Sequence, residues 1–545
     1  MKETTNKKNV LLFSILIAIF TIGIVPKQFQ NDTFFNISIG KYILENGIDM
    51  QEHFSWISGL SYTYSHWIFD IIIYLLYKIG NFTGIYIFTI LFSILINITL
   101  FNLLNKKSNN SIISFIITLI TAYFTSSCYT ARSQIISFLC FIIEIYCLEK
   151  FVDTNKKRYA FILAILSVII ANFHAATWPL FLILFMPYII AAILNLCSRK
   201  TLYIIRKNWF ENKLKKLPND SIKFAKYKNY CETYNTTILE LEKKEKSNYF
   251  EFSKLYKKKD YKIKSLLILF IIICFTGLLT PIKDVPYTYI LKSMFGKSNF
   301  ENTASMSYVS EMQPLTPIYR TDFCVFTIIF FAFFTFMPTK LRLDRAFLIA
   351  GLYLMSFISV RYTYLLVFLG SYILCDLITQ CTNKFIPEDI KSLEKLATKS
   401  TSIVILLILF IITTANNILD KNNIDYVNEE LYPIAAVDYI KENLDYKNIR
   451  IYNHYNYGSY LMLNDIPVFI DSRLDVYCSE FNDTNVFYDF IQVSEGYTNY
   501  EEIFKKYNFT HILLNKTNVV YKYLSTDSNY KLLHDDNNFA LYERK

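Results

Sequence analysis

Long apolar segments separated by short polar loops dominate the first three quarters of the chain. An apolar run of about 17 to 22 residues is long enough to cross a bilayer as an α-helix. The runs of this kind are 10–25, 83–104, 111–128, 135–151, 160–176, 178–197, 265–282, 322–338, 346–361, 362–380 and 402–419. The pattern predicts a multi-span α-helical membrane protein with about eleven transmembrane helices.

Two N-terminal segments refine this picture. The run 10–25 follows basic residues and precedes no small-residue cleavage motif, so we expect a retained start-transfer helix rather than a cleaved signal peptide. The apolar segment Ile68–Ile79 is short for a span, and helical spacing places Asp70 and Tyr74 on one of its faces. We expect it to lie in the membrane interface. The alternative is a merged span that begins near His66.

After the last apolar run the pattern changes. Residues 420–545 carry short apolar runs separated by Asn, Asp and Gly. The stretch Pro433–Leu444 has helical spacing with a proline in its first turn. Strands are predicted at Ile449–Tyr452, Val468–Ile470, His511–Leu514, Tyr530–Leu533 and Phe539–Tyr542. Helices and strands together predict a small α/β domain that can bury its own core.

Composition places the chain in a membrane, and the distribution of charge predicts which of its loops are cytoplasmic. Hydrophobic residues make up 53% of the chain, and the mean hydropathy is +0.26. The net charge is +10, and the loop 198–264 alone carries 19 Lys and Arg against 8 Asp and Glu. Because basic residues concentrate in cytoplasmic loops, the sequence predicts a cytoplasmic N-terminus and basic loop. The first loop, 27–82, and the domain 420–545 are then outside the cytoplasm.

Several classes of partner and cofactor do not fit the sequence. The basic loop is more typical of a helical hairpin attracted to anionic membrane lipids than of a specific partner site, and no nucleic-acid-binding motif accompanies it. No P-loop, dinucleotide, zincin or serine-hydrolase signature occurs. The ten cysteines lie mostly in apolar segments and include no C-x-x-C pair, so we expect small buried side chains rather than disulfides or cysteine metal ligands. No cofactor is predicted.

The first loop holds the densest group of polar residues. Asp32 closely follows the first span, and a carboxylate at that level can act as a general base on a hydroxyl acceptor. The alternative is that Asp32 is the N-cap of a helix over 33–46. Glu52 and His66 are candidate substrate contacts, and a solvated loop residue is the alternative for Glu52.

Other charged residues share this outer face in the predicted topology. They are Arg132, His174, Glu311 and Arg361. Because an unpaired charge near a span is costly, a bound anion would explain Arg132 and Arg361. An internal ion pair with Asp32 or Glu311 is the alternative.

A second charged group lies in the predicted C-terminal domain. Asp471, Arg473 and Asp475 follow a predicted strand. An arginine between carboxylates is more typical of a structural network than of a ligand site.

Two long motifs and several short ones carry a family resemblance. The first loop carries ND-x-FF-x-I-x-x-GKYILENGI-x-x-x-EHFSW and then HW, and the C-terminal part carries YNHYNYGSYLMLNDIPVFIDSRLDVY. Shorter motifs are ARSQ at 131–134, NFH at 172–174, the segment from Pro281 to Glu311, and Arg361 with Tyr362. In these motifs the chain resembles the GT-C membrane glycosyltransferases, in a bacterial branch related in layout to protein mannosyltransferases and lipid A arabinosyltransferases.

The resemblance implies inverting transfer of a sugar from a polyprenyl-phosphate carrier to an acceptor hydroxyl, at the outer face of a bacterial cytoplasmic membrane. The acceptor would be a glycan, lipid or protein. The acidic residue of the family's first loop falls on Asp32, which we expect to be the base. Arg132 and Arg361 would face the lipid phosphate, because a phosphate leaving group needs cationic stabilisation. His66, Glu52 and Glu311 would shape the acceptor site.

The scaffold is also compatible with other functions. The second hypothesis is a non-catalytic membrane protein that binds lipid-linked glycan or a protein partner. A transporter fits less well, because few ionisable residues lie at the centres of the apolar runs, Glu144 being an exception, and no inverted repeat is evident.

Overall fold

The computed structural model describes residues 2–196, 199–247, 254–256, 261–295, 308–422 and 424–545. Within these ranges each predicted apolar run overlaps a helix. Up to residue 422 the α-helices are α1 (Lys2–Ile24), α2 (Asn31–Asn46), α3 (Trp67–Ser108), α4 (Ser111–Phe124), α5 (Gln134–Thr154), α6 (Lys157–Phe173), α7 (Trp178–Leu196), α8 (Arg199–Leu214), α9 (Ile222–Ser247), α10 (Ile263–Thr276), α11 (Val285–Phe295), α12 (Thr321–Phe331), α13 (Leu343–Ile358), α14 (Thr363–Phe385), α15 (Pro387–Ala397) and α16 (Ser400–Asn422). Strands β1 (Leu255–Tyr256) and β2 (Leu341–Arg342) pair in parallel.

The described residues include helical segments that suit a membrane. Four are long and apolar enough to cross one: Trp67–Ser108, Ala175–Leu194, Val360–Phe385 and Ser400–Lys421. Shorter apolar helices are Lys8–Ile24, Ser111–Phe124, Ile263–Thr276 and Thr321–Phe336. In the predicted basic loop, α8 and α9 pack together as a helical hairpin. The chain is therefore a helical protein with candidate membrane spans.

The segment predicted to lie in the interface is continuous with the span after it. Together they form α3, which is kinked where Gly80 and Asn81 leave the helical conformation. The helix begins at Trp67, which agrees with the alternative of one merged helix that begins near His66. The kink separates its first three turns from the rest. The side chain of Asp70, which the spacing places on one face of this segment, is fully buried and lies beside His66.

Helix α2 packs closely against the start of α3. At Gly40 an added Cβ would lie 2.1 Å from the carbonyl oxygen of Asp70 and 2.8 Å from the Cβ of Tyr74. Only glycine allows this approach of two helix backbones. The contact fixes the start of α3 against α2.

The variant Gly40→Ala is expected to destabilise the protein by about 1 to 3 kcal/mol, because one helix must move away from the other. In Gly351→Ala, an added Cβ meets nothing within 4 Å. This matched helical variant is expected to be neutral or to stabilise the protein by up to about 1 kcal/mol. Unfolding by chaotrope in detergent, followed by circular dichroism, measures both. Equal stability of the two variants would contradict the close packing.

The C-terminal part combines short helices with one sheet. Its helices are α17 (Ile434–Asn443), α18 (Tyr455–Leu463), α19 (Leu474–Tyr477), α20 (Val486–Ser494), α21 (Tyr500–Tyr507) and α22 (Val519–Leu524). The strands are β3 (Ile451–Tyr452), β4 (His511–Asn515), β5 (Tyr530–Asp535) and β6 (Phe539–Arg544), in the order β3-β4-β6-β5. Strands β3 and β4 are parallel, and the other pairs are antiparallel.

One predicted strand is not part of this sheet. Val468 instead forms a single parallel bridge with Ser55 of the first loop. Its N–H donates to the carbonyl of Phe54 at 3.0 Å, and its carbonyl accepts from the N–H of Trp56 at 3.2 Å. The prediction of a strand over 468–470 is therefore wrong, because the hydrogen bonds of Val468 go to the first loop.

The first loop docks on the C-terminal part through further contacts. The indole N–H of Trp56 donates to the carbonyl of Ile451 at 3.1 Å. The hydroxyl of Thr63 donates to the carboxylate of Asp475 at 2.6 Å. Helix α18 also packs against α2. The first loop thus lies between the helices that follow it and the C-terminal sheet.

Candidate functional site

Asp32 lies in the first turn of α2 and forms an ion pair with Arg132. The helix begins at Asn31, with Gln30 as its cap residue, so the alternative that Asp32 is the N-cap is wrong. Its Oδ2 lies 2.6 Å from Nη2 of Arg132. Both side chains are partly exposed, so the pair lies at an accessible surface.

Arg132 joins two carboxylates. It lies in the loop between α4 and α5, close to the start of α2, where the hydroxyl of Thr33 donates to the carbonyl of Ala131 at 3.3 Å. Nη1 of Arg132 lies 3.1 Å from Oε1 of Glu311 and 3.4 Å from Oε1 of Gln30. The structure thus shows the internal ion pair that the sequence left as an alternative for Arg132. Its guanidinium bridges Asp32 and Glu311.

Glu311 is held in its charged form by nearby arginines. Burial alone would raise the pKa of its carboxyl group, but Arg132 and Arg361 lower that pKa below the ordinary value. Glu311 therefore remains an anion at neutral pH.

Arg361 lies on the neighbouring turn and contacts no charged partner in the part of the chain that the structure describes. The hydroxyl of Ser359 donates to the backbone carbonyl of Glu311 at 2.7 Å, and the N–H of Val360 donates to the carbonyl of Gln313 at 2.9 Å. These bonds hold the turn of Arg361 beside that of Glu311. Within the described ranges, the half-buried Arg361 side chain makes no hydrogen bond or ion pair. An arginine in this state suits an external anion.

His66 and Asp70 form a second polar pair beside the first. His66 lies just before α3, and its Nδ1 is 3.1 Å from Oδ1 and 3.3 Å from Oδ2 of the buried Asp70. Burial alone would lower the pKa of His66, but the carboxylate of Asp70, with smaller contributions from Asp32 and Asp475, raises it above the ordinary value. His66 therefore shares an electrostatic environment with Asp32.

His174 packs against the same region. Its ring centroid lies 6.3 Å from that of His66, and the backbone N–H of Ala175 donates to the carbonyl of Ser65 at 2.7 Å. The buried ring of His174 is held by Ser137, whose hydroxyl lies 2.8 Å from Nδ1.

Glu52 lies apart from this group, in a buried ion pair with the C-terminal part. Its two oxygens lie 2.6 and 2.9 Å from the guanidinium of Arg473, and its Oε1 also accepts the N–H groups of Phe54 and Ser55. The side chains of Glu52 and Arg473 are 0% and 1% exposed. Glu52 is therefore neither a solvated loop residue nor free to contact a substrate, and we assign it a structural role.

The C-terminal charged cluster is divided between two roles. Arg473 lies between Asp471, at 2.6 Å, and Glu52. This agrees with the expected structural network, although its second carboxylate comes from the first loop. Asp475 instead accepts the hydroxyl of Thr63 and lies near His66.

Some residues of this region carried no signal in the sequence. Asp70 was placed at the membrane interface by its position on a short apolar helix, although its spacing of four residues from His66 could have indicated a pair. Burial raises the pKa of Tyr455, at the start of α18 in the C-terminal part, and Asp32 lies near enough that its charge adds to this rise. Only tertiary packing reveals that proximity.

The chain was compared with known proteins. No family model and no curated protein matches it.

The arrangement brings together groups of opposite charge. Asp32, Arg132 and Glu311 are in contact, Arg361 lies on the adjacent turn, and His66 is close enough to be affected by Asp32. Such a group can bind an anion through its arginines and accept a proton through its carboxylate or imidazole.

Proposed function

We propose that this chain is a GT-C-like membrane glycosyltransferase that transfers a sugar, with inversion, from a polyprenyl-phosphate carrier to an acceptor hydroxyl. In this proposal about eleven helices span a bacterial cytoplasmic membrane. The N-terminus lies in the cytoplasm, and the site and the C-terminal α/β domain lie on the outer face. The observation that carries the proposal is Arg361, a half-buried cation that contacts no anion among the residues that the structure describes, beside the ion pair of Asp32 and Arg132.

The carrier phosphate would bind at Arg361. Arg132 would then turn from Asp32 toward the same phosphate, since a guanidinium binds phosphate and carboxylate in the same geometry. Asp32, released from its partner, becomes available to the acceptor. Donor binding would in this way prepare the base.

The reaction is a single displacement at the anomeric carbon. The acceptor oxygen forms a bond to that carbon while the bond to the phosphate oxygen breaks, and its electron pair stays on the phosphate. Asp32 takes the acceptor proton. No general acid is needed, because the phosphate leaves as a stable anion near two arginines. Glu311 and His66 would line the acceptor side, and the acceptor would be a glycan, lipid or protein.

One observation favours the alternative of a non-catalytic protein that binds lipid-linked glycan or a protein partner. Arg132 is already paired with two carboxylates, as in a structural network. The two functions differ in whether labelled sugar leaves the carrier.

The test is transfer by the purified protein in liposomes supplied with a panel of labelled polyprenyl-phosphate sugars and candidate acceptors. We expect transfer from at least one donor. Saturable donor binding without transfer across the panel would support the binding function instead.

With an active donor, Arg361→Gln is expected to raise the donor KM by about 10- to 100-fold, because a charge-assisted hydrogen bond contributes about 1.5 to 3 kcal/mol. The control is Arg158→Gln, which removes an exposed arginine that stacks on Tyr159 at the start of α6. This control should keep the wild-type KM. A wild-type KM in Arg361→Gln would remove Arg361 from the phosphate site.

A further inference from the structure

His66 and Asp70 form a pair that the proposed transfer step does not use. The Nδ1 of His66 faces both carboxylate oxygens of Asp70, at 3.1 and 3.3 Å. In neutral imidazole this arrangement puts the proton on Nδ1 and leaves the lone pair on Nε2. Within the described ranges Nε2 has no hydrogen-bond partner, and the side chain is 17% exposed. The Nε2 lone pair of neutral His66 is therefore available to accept a proton.

Several packed elements face this ring. Asp70 lies one turn along α3, Asp32 comes from α2, and Asp475 comes from the C-terminal part. Phe35 stacks on the ring, with centroids 5.7 Å apart, and the buried His174 packs edge-to-face against it, with centroids 6.3 Å apart. Asp70 contacts His66, Asp32 and Asp475 act on it through their charges, and no cation contacts it among the described residues, so a proton on Nε2 is stabilised.

Asp32 must lose the acceptor proton before it can act as a base again. Its carboxylate pairs with Arg132 at 2.6 Å. A proton left on Asp32 prevents this ion pair from re-forming after the carrier phosphate has left Arg132, and a protonated Asp32 cannot take the proton of the next acceptor. Passing the proton to a stronger base frees Asp32 and restores its ion pair with Arg132.

We propose that His66, positioned by Asp70, is the proton relay of this centre and takes from Asp32 the proton of the acceptor hydroxyl. The inference rests on the proposed function. The acceptor O–H bond breaks as the new bond to the sugar forms. The proton passes to the carboxylate of Asp32, then through a water or substrate hydroxyl to Nε2 of His66, and from there to solvent. The electron pair of the broken sugar bond stays on the carrier phosphate.

The first test measures the titration of His66 and does not require enzymatic activity. Hydrogen–deuterium exchange at the C2 position of histidine, read by mass spectrometry across pH, gives the titration midpoint of His66 in the full-length protein. We expect a midpoint above the ordinary value of about 6.5. Asp70→Asn should lower it by about one unit or more, and Asp32→Asn should lower it by less.

A matched control is available in the same loop. His53 and Asp49 have the same spacing of four residues, with Nε2 and Oδ2 2.6 Å apart, but both are well exposed. The variant Asp49→Asn should leave the midpoint of His66 unchanged. A His66 midpoint at or below 6.5, or one that Asp70→Asn does not lower, would overturn the relay.

The second test uses the active donor. His66→Gln should lower kcat at least about tenfold without changing the donor KM, and should remove the rise of rate with pH that deprotonation of His66 gives. His53→Gln should change neither. Absence of transfer by the wild-type protein would overturn the proposed function and the relay together. Wild-type kcat and pH profile in His66→Gln would overturn the relay alone.

Discussion

Replacing Asp32 with asparagine is expected to lower sugar transfer by about 10²- to 10⁴-fold, the range usual for removal of a general base. Asparagine has nearly the same shape and cannot take the proton of the acceptor. Arg132 keeps its contact with Glu311 at 3.1 Å, so the site should keep its structure. The measurement is the initial rate of label transfer at saturating donor, with donor binding as a separate readout.

The matched variant is Asp49→Asn. Asp49 is also a carboxylate of the first loop, but it is exposed and accepts the hydroxyl of Tyr42 at 2.9 Å, apart from the arginines. Its replacement should leave the rate within about twofold, since surface substitutions rarely act at a distance. Transfer above about a tenth of the wild-type rate in Asp32→Asn would remove Asp32 as the base.

Removing the charge of Glu52 is expected to weaken the attachment of the first loop by about 3 kcal/mol. In Glu52→Gln an amide N–H₂ replaces one of the oxygens that face Arg473, and two donors then oppose each other in a buried site. Because amide exchange follows local opening, we expect exchange in the peptides around residues 52–62 to become about 100-fold faster. Hydrogen–deuterium exchange with mass spectrometry measures this.

A second ion pair between the same two parts of the chain is the control. Lys41 of α2 lies 3.8 Å from Asp465, and the two side chains are 45% and 68% exposed. Solvent screens such a pair, so Lys41→Met should cost less than about 1 kcal/mol and change exchange less than about fivefold. Similar exchange in Glu52→Gln and Lys41→Met would show that burial of the Glu52 pair has no special effect.

The elements were the most predictable part of the fold. Each apolar run overlaps a helix, because a helix satisfies the backbone hydrogen bonds of such a run within the run itself. The helix near Pro433 and the strands at Ile451, His511, Tyr530 and Phe539 also follow from local patterns. Val468 was misjudged because a short apolar run looks the same whether it pairs within a sheet or with a distant loop.

The site was less predictable, because it depends on contacts between distant residues. The sequence placed Asp32, Arg132, Glu311 and Arg361 at one face through topology, and the structure brings the first three into contact. The sequence could not show that Arg132 forms ion pairs with both Asp32 and Glu311, nor that Glu52 pairs with an arginine 421 residues away. The pairing of His66 with Asp70 was missed because the segment 68–79 was treated as an interface helix and the four-residue spacing between the two side chains was not considered.

The attachment of the first loop also bears on how the protein is made. Glu52 leaves the ribosome 421 residues before Arg473. At about 5 to 20 residues per second, the loop waits roughly 20 to 80 s for its partner. During this time the carboxylate of Glu52 and the indole of Trp56 have no C-terminal surface to pack against. The final shape of the first loop is therefore among the last structures to form, and a protease or chaperone that meets the nascent chain would find this loop still open.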